Sequence, residues 1–299
     1  MQIARTLRAA VFCGAGFALC VPMARARVAA DSPAFSDNPA LLKGYDELYV
    51  QRFAEARMEF SSWAEEHPEE PFGQVCIAAS YLFEELYRQG VLTSDFFLNE
   101  KRFLKGIEGK PNAERIVKFF DALEKARELA RARLEKDADD PEGLFALTLA
   151  DGMESDADSI LLKKNLDSLK RMKEANEYAK KLLAQRPDAA DSYVALGIAN
   201  YIIGSLNGAK RFFLWFGGIH GDKQLGMDQL QKAADQGRYL RPFAKILLAL
   251  AARREKERPL AEKLLHELRN EFPTSPLFAA EYAKIMGQPI PTTLQPGPE

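Results

Sequence analysis

Three histidines are the first residues to weigh for chemistry: His67, His220 and His266. They stand far apart, and none has a second His or Cys at ligand spacing, so they predict no zinc site. The stretch Asp151-Gly152-Met153-Glu154-Ser155-Asp156-Ala157-Asp158-Ser159 has the acid density of a calcium loop. It lacks the required glycine position and the distal bidentate glutamate, and reads as a solvated loop between helices. Ser205 follows Gly204 without the flanking pattern of a nucleophile elbow. No Gly-x-x-x-x-Gly-Lys phosphate loop occurs. The adjacent acids Glu84-Glu85 and Glu69-Glu70 read as exposed helix or loop charges rather than an acid/base couple. Cys76 sits in the apolar run Val75-Cys76-Ile77-Ala78-Ala79 and reads as a buried structural thiol. The sequence therefore predicts no catalytic residue, no metal and no cofactor.

One segment remains as a candidate contact. Between Gly204 and Asp222, Lys210 and Arg211 precede the consecutive apolar residues Phe212, Phe213, Leu214, Trp215 and Phe216, and Gly217, Gly218 and Gly221 follow. A run that is apolar all round must be buried or must meet something apolar. It is either a short helix buried in the core or an exposed patch for a partner or a membrane. Basic residues beside Phe and Trp suit interfacial insertion, and the run is too short to span a bilayer. The candidate contact residues are Lys210, Arg211, Phe212, Phe213, Trp215 and Phe216.

The elements around this segment must be helices. The chain has 299 residues, 47% hydrophobic and 28% charged, with a formal charge of −2. That composition is globular and excludes wholesale disorder and a polytopic membrane protein. The near-neutral charge excludes a dedicated nucleic-acid binder. From Pro39 to Met286 the apolar spacing is helical, and no segment alternates as a strand would. Leu41, Tyr45, Leu48, Tyr49 and Phe53 share one face. Further helices are predicted from Phe72 to Gln89 and over 111–136, 164–186, 190–204, 223–236, 240–255 and 259–271.

A spacing recurs inside these helices. Ala56, Phe60, Trp63 and Pro68 stand at the offsets of the second helix of a tetratricopeptide repeat. Ala261, Leu265, Leu268 and Pro273 repeat those offsets, and so do Ala175, Ala179, Leu182 and Pro187. Pro141 follows a looser match, and Gly44 stands where the first helix of a pair needs a small residue. The predicted fold is all-α, a tetratricopeptide-like helical-repeat solenoid of about six or seven helix pairs over 39–286, with some pairs degenerate.

The N-terminus reads as an export signal. Arg5 and Arg8 precede an apolar stretch from Ala9 to Met23, and Ala24-Arg25-Ala26 offers a cleavage pattern. A second cut fits after Ala30. Cys13 and Cys20 follow Phe12 and Leu19, which does not suit lipid attachment. Cleavage leaves Cys76 alone, so no internal disulfide is expected. The domain reading is a signal peptide over 1–26, a linker over 27–38, the repeat domain over 39–286 and a Pro-rich disordered tail over 287–299.

The segment Arg186-Pro187-Asp188, Asp191, Tyr193, Ala195-Leu196-Gly197, Asn200-Tyr201 and Gly204-Ser205 continues into Phe212-Phe213-Leu214, Gly217-Gly218-Ile219 and Gly221-Asp222-Lys223. Gly226, Leu230, Ala233-Ala234 and Gly237-Arg238-Tyr239 complete it. This resembles bacterial exported tetratricopeptide-repeat proteins. They are distantly similar to the eukaryotic tetratricopeptide-repeat family that includes an outer-mitochondrial-membrane factor for clearing inclusion bodies. The resemblance is strongest over 186–255 and extends weakly over 40–285. It implies a helical solenoid without an enzymatic role, and supplies no ligand or catalytic residue. The expected function is an exported, non-catalytic scaffold, periplasmic or secreted, that holds a protein or peptide in its groove. The alternative is a peripheral membrane protein that contacts lipid through 204–219.

Overall fold

The computed structural model describes residues 34–206 and 219–291. Among them the chain is all-helical, with no β-strand. The helices are α1 (Pro39–Tyr49), α2 (Phe53–Glu66), α3 (Pro71–Arg88), α4 (Ser94–Leu98), α5 (Glu100–Lys105), α6 (Ala113–Lys136), α7 (Pro141–Asp156), α8 (Asn165–Gln185), α9 (Tyr193–Ser205), α10 (Lys223–Gln236), α11 (Arg241–Arg254), α12 (Arg258–Glu271) and α13 (Pro276–Met286). A π turn, Ala157–Leu161, extends α7, and a 3₁₀ turn, Ala190–Ser192, leads into α9.

The helix ends follow from a few residue types. Prolines open α1, α3, α7 and α13 at the position where a missing N–H costs nothing. Side chains of Asn38, Asn112, Asp140, Asp222 and Ser275 accept from first-turn amides. Pro68, Pro187 and Pro273 stop α2, α8 and α12, because the residue before a proline leaves the helical region. His67, Arg186 and Phe272 duly share one conformation, with φ/ψ of −130/61, −129/73 and −124/69. Each carbonyl then accepts from the amide three residues on, at 3.0 Å to Glu70, Ala189 and Ser275. Asp137, at φ/ψ −144/104 and without a proline, makes the same hydrogen bond to the Asp140 amide at 2.9 Å. A turn closed by this bond thus recurs four times, after α2, α6, α8 and α12, with one backbone conformation at three of them.

Successive helices pack on one another from α1 to α3, from α3 to α6, and from α6 to α13. Alternate helices α3, α7, α9 and α11 also touch in series. The repeat-spaced residues lie in these contacts. Ala56, Phe60, Ala179, Leu182, Ala261 and Leu268 are fully buried. Burying a side chain such as Phe60 contributes about 3 kcal/mol. A Cβ on Gly44 would stand 2.3 Å from the Phe60 ring, so α1 and α2 approach this closely only with glycine there.

Residues 89–112 depart from the helix-to-helix series. Their helix α4 packs on α11, and α5 on the π turn. The array also returns on itself. The Tyr49 hydroxyl donates to the Tyr239 carbonyl at 2.8 Å. The Gln51 side-chain oxygen accepts from the Ser275 hydroxyl at 3.1 Å, and Lys284 pairs with Asp95 at 2.7 Å. One buried cluster therefore runs from Ala34 to Ile285, and a second joins α3, α6, α7 and the 91–107 excursion. No helix among the described residues is long and apolar enough to cross a membrane.

Candidate functional site

Asp191 organises the turn ends of α8, α9 and α11. It lies in the 3₁₀ turn before α9 and is 5% exposed. Its Oδ1 accepts from the amides of Arg238 at 2.8 Å and Leu240 at 3.1 Å, and Oδ2 from Tyr239 at 3.0 Å. A carboxylate is thereby placed against the N-terminal end of α11, where the helix dipole favours negative charge. Burial pushes the carboxyl above its usual range, against the pull of the three amides. A Cβ on Gly237 would stand 2.6 Å from Oδ1, so glycine is required beside this carboxylate.

The turn that Asp191 fixes presents Tyr239 inward. Its ring lies 5.1 Å from both Tyr45 and Phe72, and Phe72 lies 5.4 Å from Phe145. Onto this aromatic group the segment Ala34–Asn38 is laid. The Ala34 amide donates to Glu142 Oε1 at 3.2 Å. Phe35 packs at 5.4 Å from Phe145, under the Arg186 guanidinium at 4.8 Å. Arg186 is held in turn by both oxygens of Asp188. The Ser36 carbonyl accepts from the Tyr239 hydroxyl at 2.9 Å, and Asp37 pairs with Arg238 at 2.7 Å. A cleft lined by Ala34, Phe35, Phe145, Ala190 and Arg238 runs beside the segment.

Glu142, in the first turn of α7, is 3% exposed and its Oε2 has no hydrogen-bond partner. Burial is the main cause that raises its carboxyl to about 8. Glu70 and Asp140 add to the rise, while the Ala34 amide and Arg133 oppose it. At neutral pH this carboxyl is mostly protonated.

The sequence-predicted contact residues Lys210, Arg211, Phe212, Phe213, Trp215 and Phe216 lie outside the described residues. Their flanks are described. A Cβ on Gly204 would meet the Lys223 amide nitrogen at 2.4 Å, and one on Gly226 the Tyr201 amide nitrogen at 2.4 Å. Glycines thus let α9 and α10 touch backbone to backbone. The Tyr201 hydroxyl and Lys223 both reach Glu255, at 3.1 and 2.5 Å, which ties this stem to the end of α11.

Several sequence readings change. The acidic stretch from Asp151 is not a solvated loop. It forms the end of α7 and the π turn, and Asp151, Ser155 and Asp158 are buried. Asp151 accepts from Arg127 on α6 at 2.8 Å, and Arg127 also pairs with Glu154. Arg127 itself is 4% exposed. Glu84 and Glu85 are likewise buried, not exposed. Burial raises the Glu84 carboxyl, but Arg57 and Arg115 outweigh it and hold it below the usual range. Glu85 pairs with Arg115. These charges join helices, and Glu154 and Asp158 also line a cleft with Lys164 and Arg171.

His67 stacks on Trp63 at 4.3 Å, and His266 lies beside Tyr282. Cys76 is fully buried, with its thiol 3.6 Å from the Tyr45 hydroxyl, and burial pushes that thiol far up, out of reactive range. Among the described residues no cluster of His, Cys, Asp or Glu could hold a metal ion. No protein-family model matches the chain, and no curated protein matches it. The arrangement of Glu142, Phe145, Arg186, Arg238 and Tyr239 can hold a turned backbone, an aromatic ring and an acid.

Proposed function

We propose that this chain is a non-catalytic protein-binding scaffold of tetratricopeptide-like hairpins that works after export. The observation that carries the reading is the turn repeated after α2, α6, α8 and α12. Equivalent turns bring equivalent helix ends into series, which is how a repeat protein builds a continuous binding surface. The seated segment 34–38 supports it, since these ends already hold a non-helical stretch of chain. Repeats of this length predict about six or seven pairs. The helix series gives five hairpins, α1/α2, α3/α6, α7/α8, α9/α10 and α11/α12, with α13 as a single closing helix. Panning a displayed peptide library on the purified full chain tests the reading. Enriched peptides that bind the folded chain with micromolar affinity are expected, and a folded chain that enriches none sinks it.

The second reading is a peripheral membrane contact through 204–219. Leu225, 47% exposed in the first turn of α10, favours it, because it stands beside the stem of that run. Liposome flotation of the chain beside a Phe212→Ser, Trp215→Ser double variant decides it. Wild type that floats while the folded variant does not supports a lipid contact. Wild type that stays in solution ends that reading.

A further inference from the structure

Residues 34–38 make the contacts of a bound peptide rather than those of a packed helix. Ala34 fills a small buried position and gives its amide to Glu142. Phe35 enters a slot with an aromatic floor, Phe145, and a cationic roof, Arg186. Ser36 contributes its carbonyl to Tyr239, and Asp37 its carboxylate to Arg238. Each receiving side chain comes from elsewhere in the chain, on α7, on the turn after α8 or on the turn before α11. The backbone bonds fix a segment that turns at Ala34-Phe35 and bends at Ser36, while the aromatic slot and the Arg238 pair select its side chains.

We propose that this slot is a peptide-binding site for a small–aromatic–x–acidic segment of a partner protein, occupied in cis by Ala34-Phe35-Ser36-Asp37. This rests on the scaffold reading and specifies what the scaffold holds. The cis segment keeps the site covered until a partner segment of the same pattern displaces it. Glu142 gives the cover a weak point. Its Oε2 is buried without a partner, and the Ala34 amide of the segment bonds the other oxygen of the same carboxyl. Glu70, Asp140, Arg133 and Arg186 are the charged groups around it. The two acids add to the advantage of opening once Glu142 ionises, and the two arginines reduce it.

The test uses an acetylated, C-terminally labelled hexapeptide with the sequence of residues 33–38, read by fluorescence anisotropy. A full-chain Phe35→Ala, Asp37→Ala variant uncovers the slot and should bind the hexapeptide at least tenfold more tightly than wild type. Adding Arg238→Glu should weaken that binding at least tenfold. A hexapeptide with Lys in place of its Asp should recover it. A folded uncovered variant that binds no more tightly than wild type overturns the proposal.

If circular dichroism shows that the uncovered variant does not fold, native-state amide exchange of the wild type decides. An Ala34 amide that exchanges at least tenfold faster than the amides of α7 shows local lifting of the segment. An Ala34 amide that exchanges only with global unfolding makes the segment core and overturns the proposal. Panned peptides separate the two readings. Peptides that bind wild type without competing with the hexapeptide remove the slot and leave the scaffold. No binding of any peptide to either protein removes both.

Discussion

Asp191 accepts from three backbone amides, so its truncation takes a buried acceptor away from each of them. Asp191→Ala should lower the unfolding free energy by about 3 kcal/mol, read from urea melts, with Asp191→Asn falling between. A loss below 0.5 kcal/mol would show that water replaces the carboxylate. Glu142 adds a pH dependence whose sign follows from its raised carboxyl. The carboxyl ionises near 4.5 in the unfolded chain and near 8 in the folded one. Its contribution is therefore complete below about pH 4.5, declines as pH rises, and is gone above about pH 8. Between those values the wild type should lose up to about 1.4 kcal/mol per pH unit relative to Glu142→Gln. The two melts should coincide at pH 4 and differ most at pH 9. Parallel curves would show that Glu142 is hydrated. Both residues stand in plain view in the sequence, and Asp191 with Gly237-Arg238-Tyr239 already belongs to the family-like segment. What the spacing does not reveal is their meeting, because a hydrogen bond between distant turns leaves no periodic trace.

At the level of elements, glycines separate by what surrounds them. Gly226 faces the Tyr201 backbone, where a Cβ would stand at 2.4 Å, whereas a Cβ on Gly152 in α7 meets nothing within 4 Å. Gly226→Ala should cost about 1–3 kcal/mol by forcing α9 and α10 apart. Gly152→Ala should instead gain up to about 1 kcal/mol, since alanine loses less entropy in a helix. Thermal melts of the two variants check both signs, and equal shifts would refute the close approach. Helix ends were the most legible elements, because proline stops a helix by local sterics that need no tertiary contact. The predicted 223–236 helix matches α10 to the residue, the one over 190–204 starts three residues before α9 by taking in the 3₁₀ turn, and the others lie within two residues of their ends. α4 and α5 were not legible, since five or six residues hold too little of a 3.6-residue period to read. The Asp151 stretch misleads for another reason. Asp, Gly and Ser have the composition of a loop, and contacts with Arg127 on α6 and with Arg171 and Ser168 on α8 hold that stretch as a helix.

For the whole molecule, the question is whether stability is local or shared. A linear repeat array is held by neighbour contacts alone, so it can unfold piecewise and survive the loss of its last pair. Here the ends meet. Tyr49 packs at 5.4 Å from Phe272, Gln51 accepts from Ser275 and Leu277 at the start of α13, and Lys284 pairs with Asp95. Removing 258–299 takes α12 and α13 away from α1, which then exposes the Tyr49 and Gln51 side of its contact. The truncated chain should therefore be destabilised in its first hairpin as well as its last. In a Trp215→Phe background Trp63 is the sole tryptophan and reports on α2, while circular dichroism reports on all helices. In the untruncated chain the two urea transitions should coincide, as expected for one cooperative core. In the truncated chain both should move to lower urea together, with the Trp63 midpoint shifted as far as the helical one. A Trp63 transition left in place while the helical signal falls in proportion to the residues removed would mean that the hairpins stand on their neighbours alone. The contacts between the first and last helices would then be incidental to stability, and the buried cluster from Ala34 to Ile285 would be several cores in series.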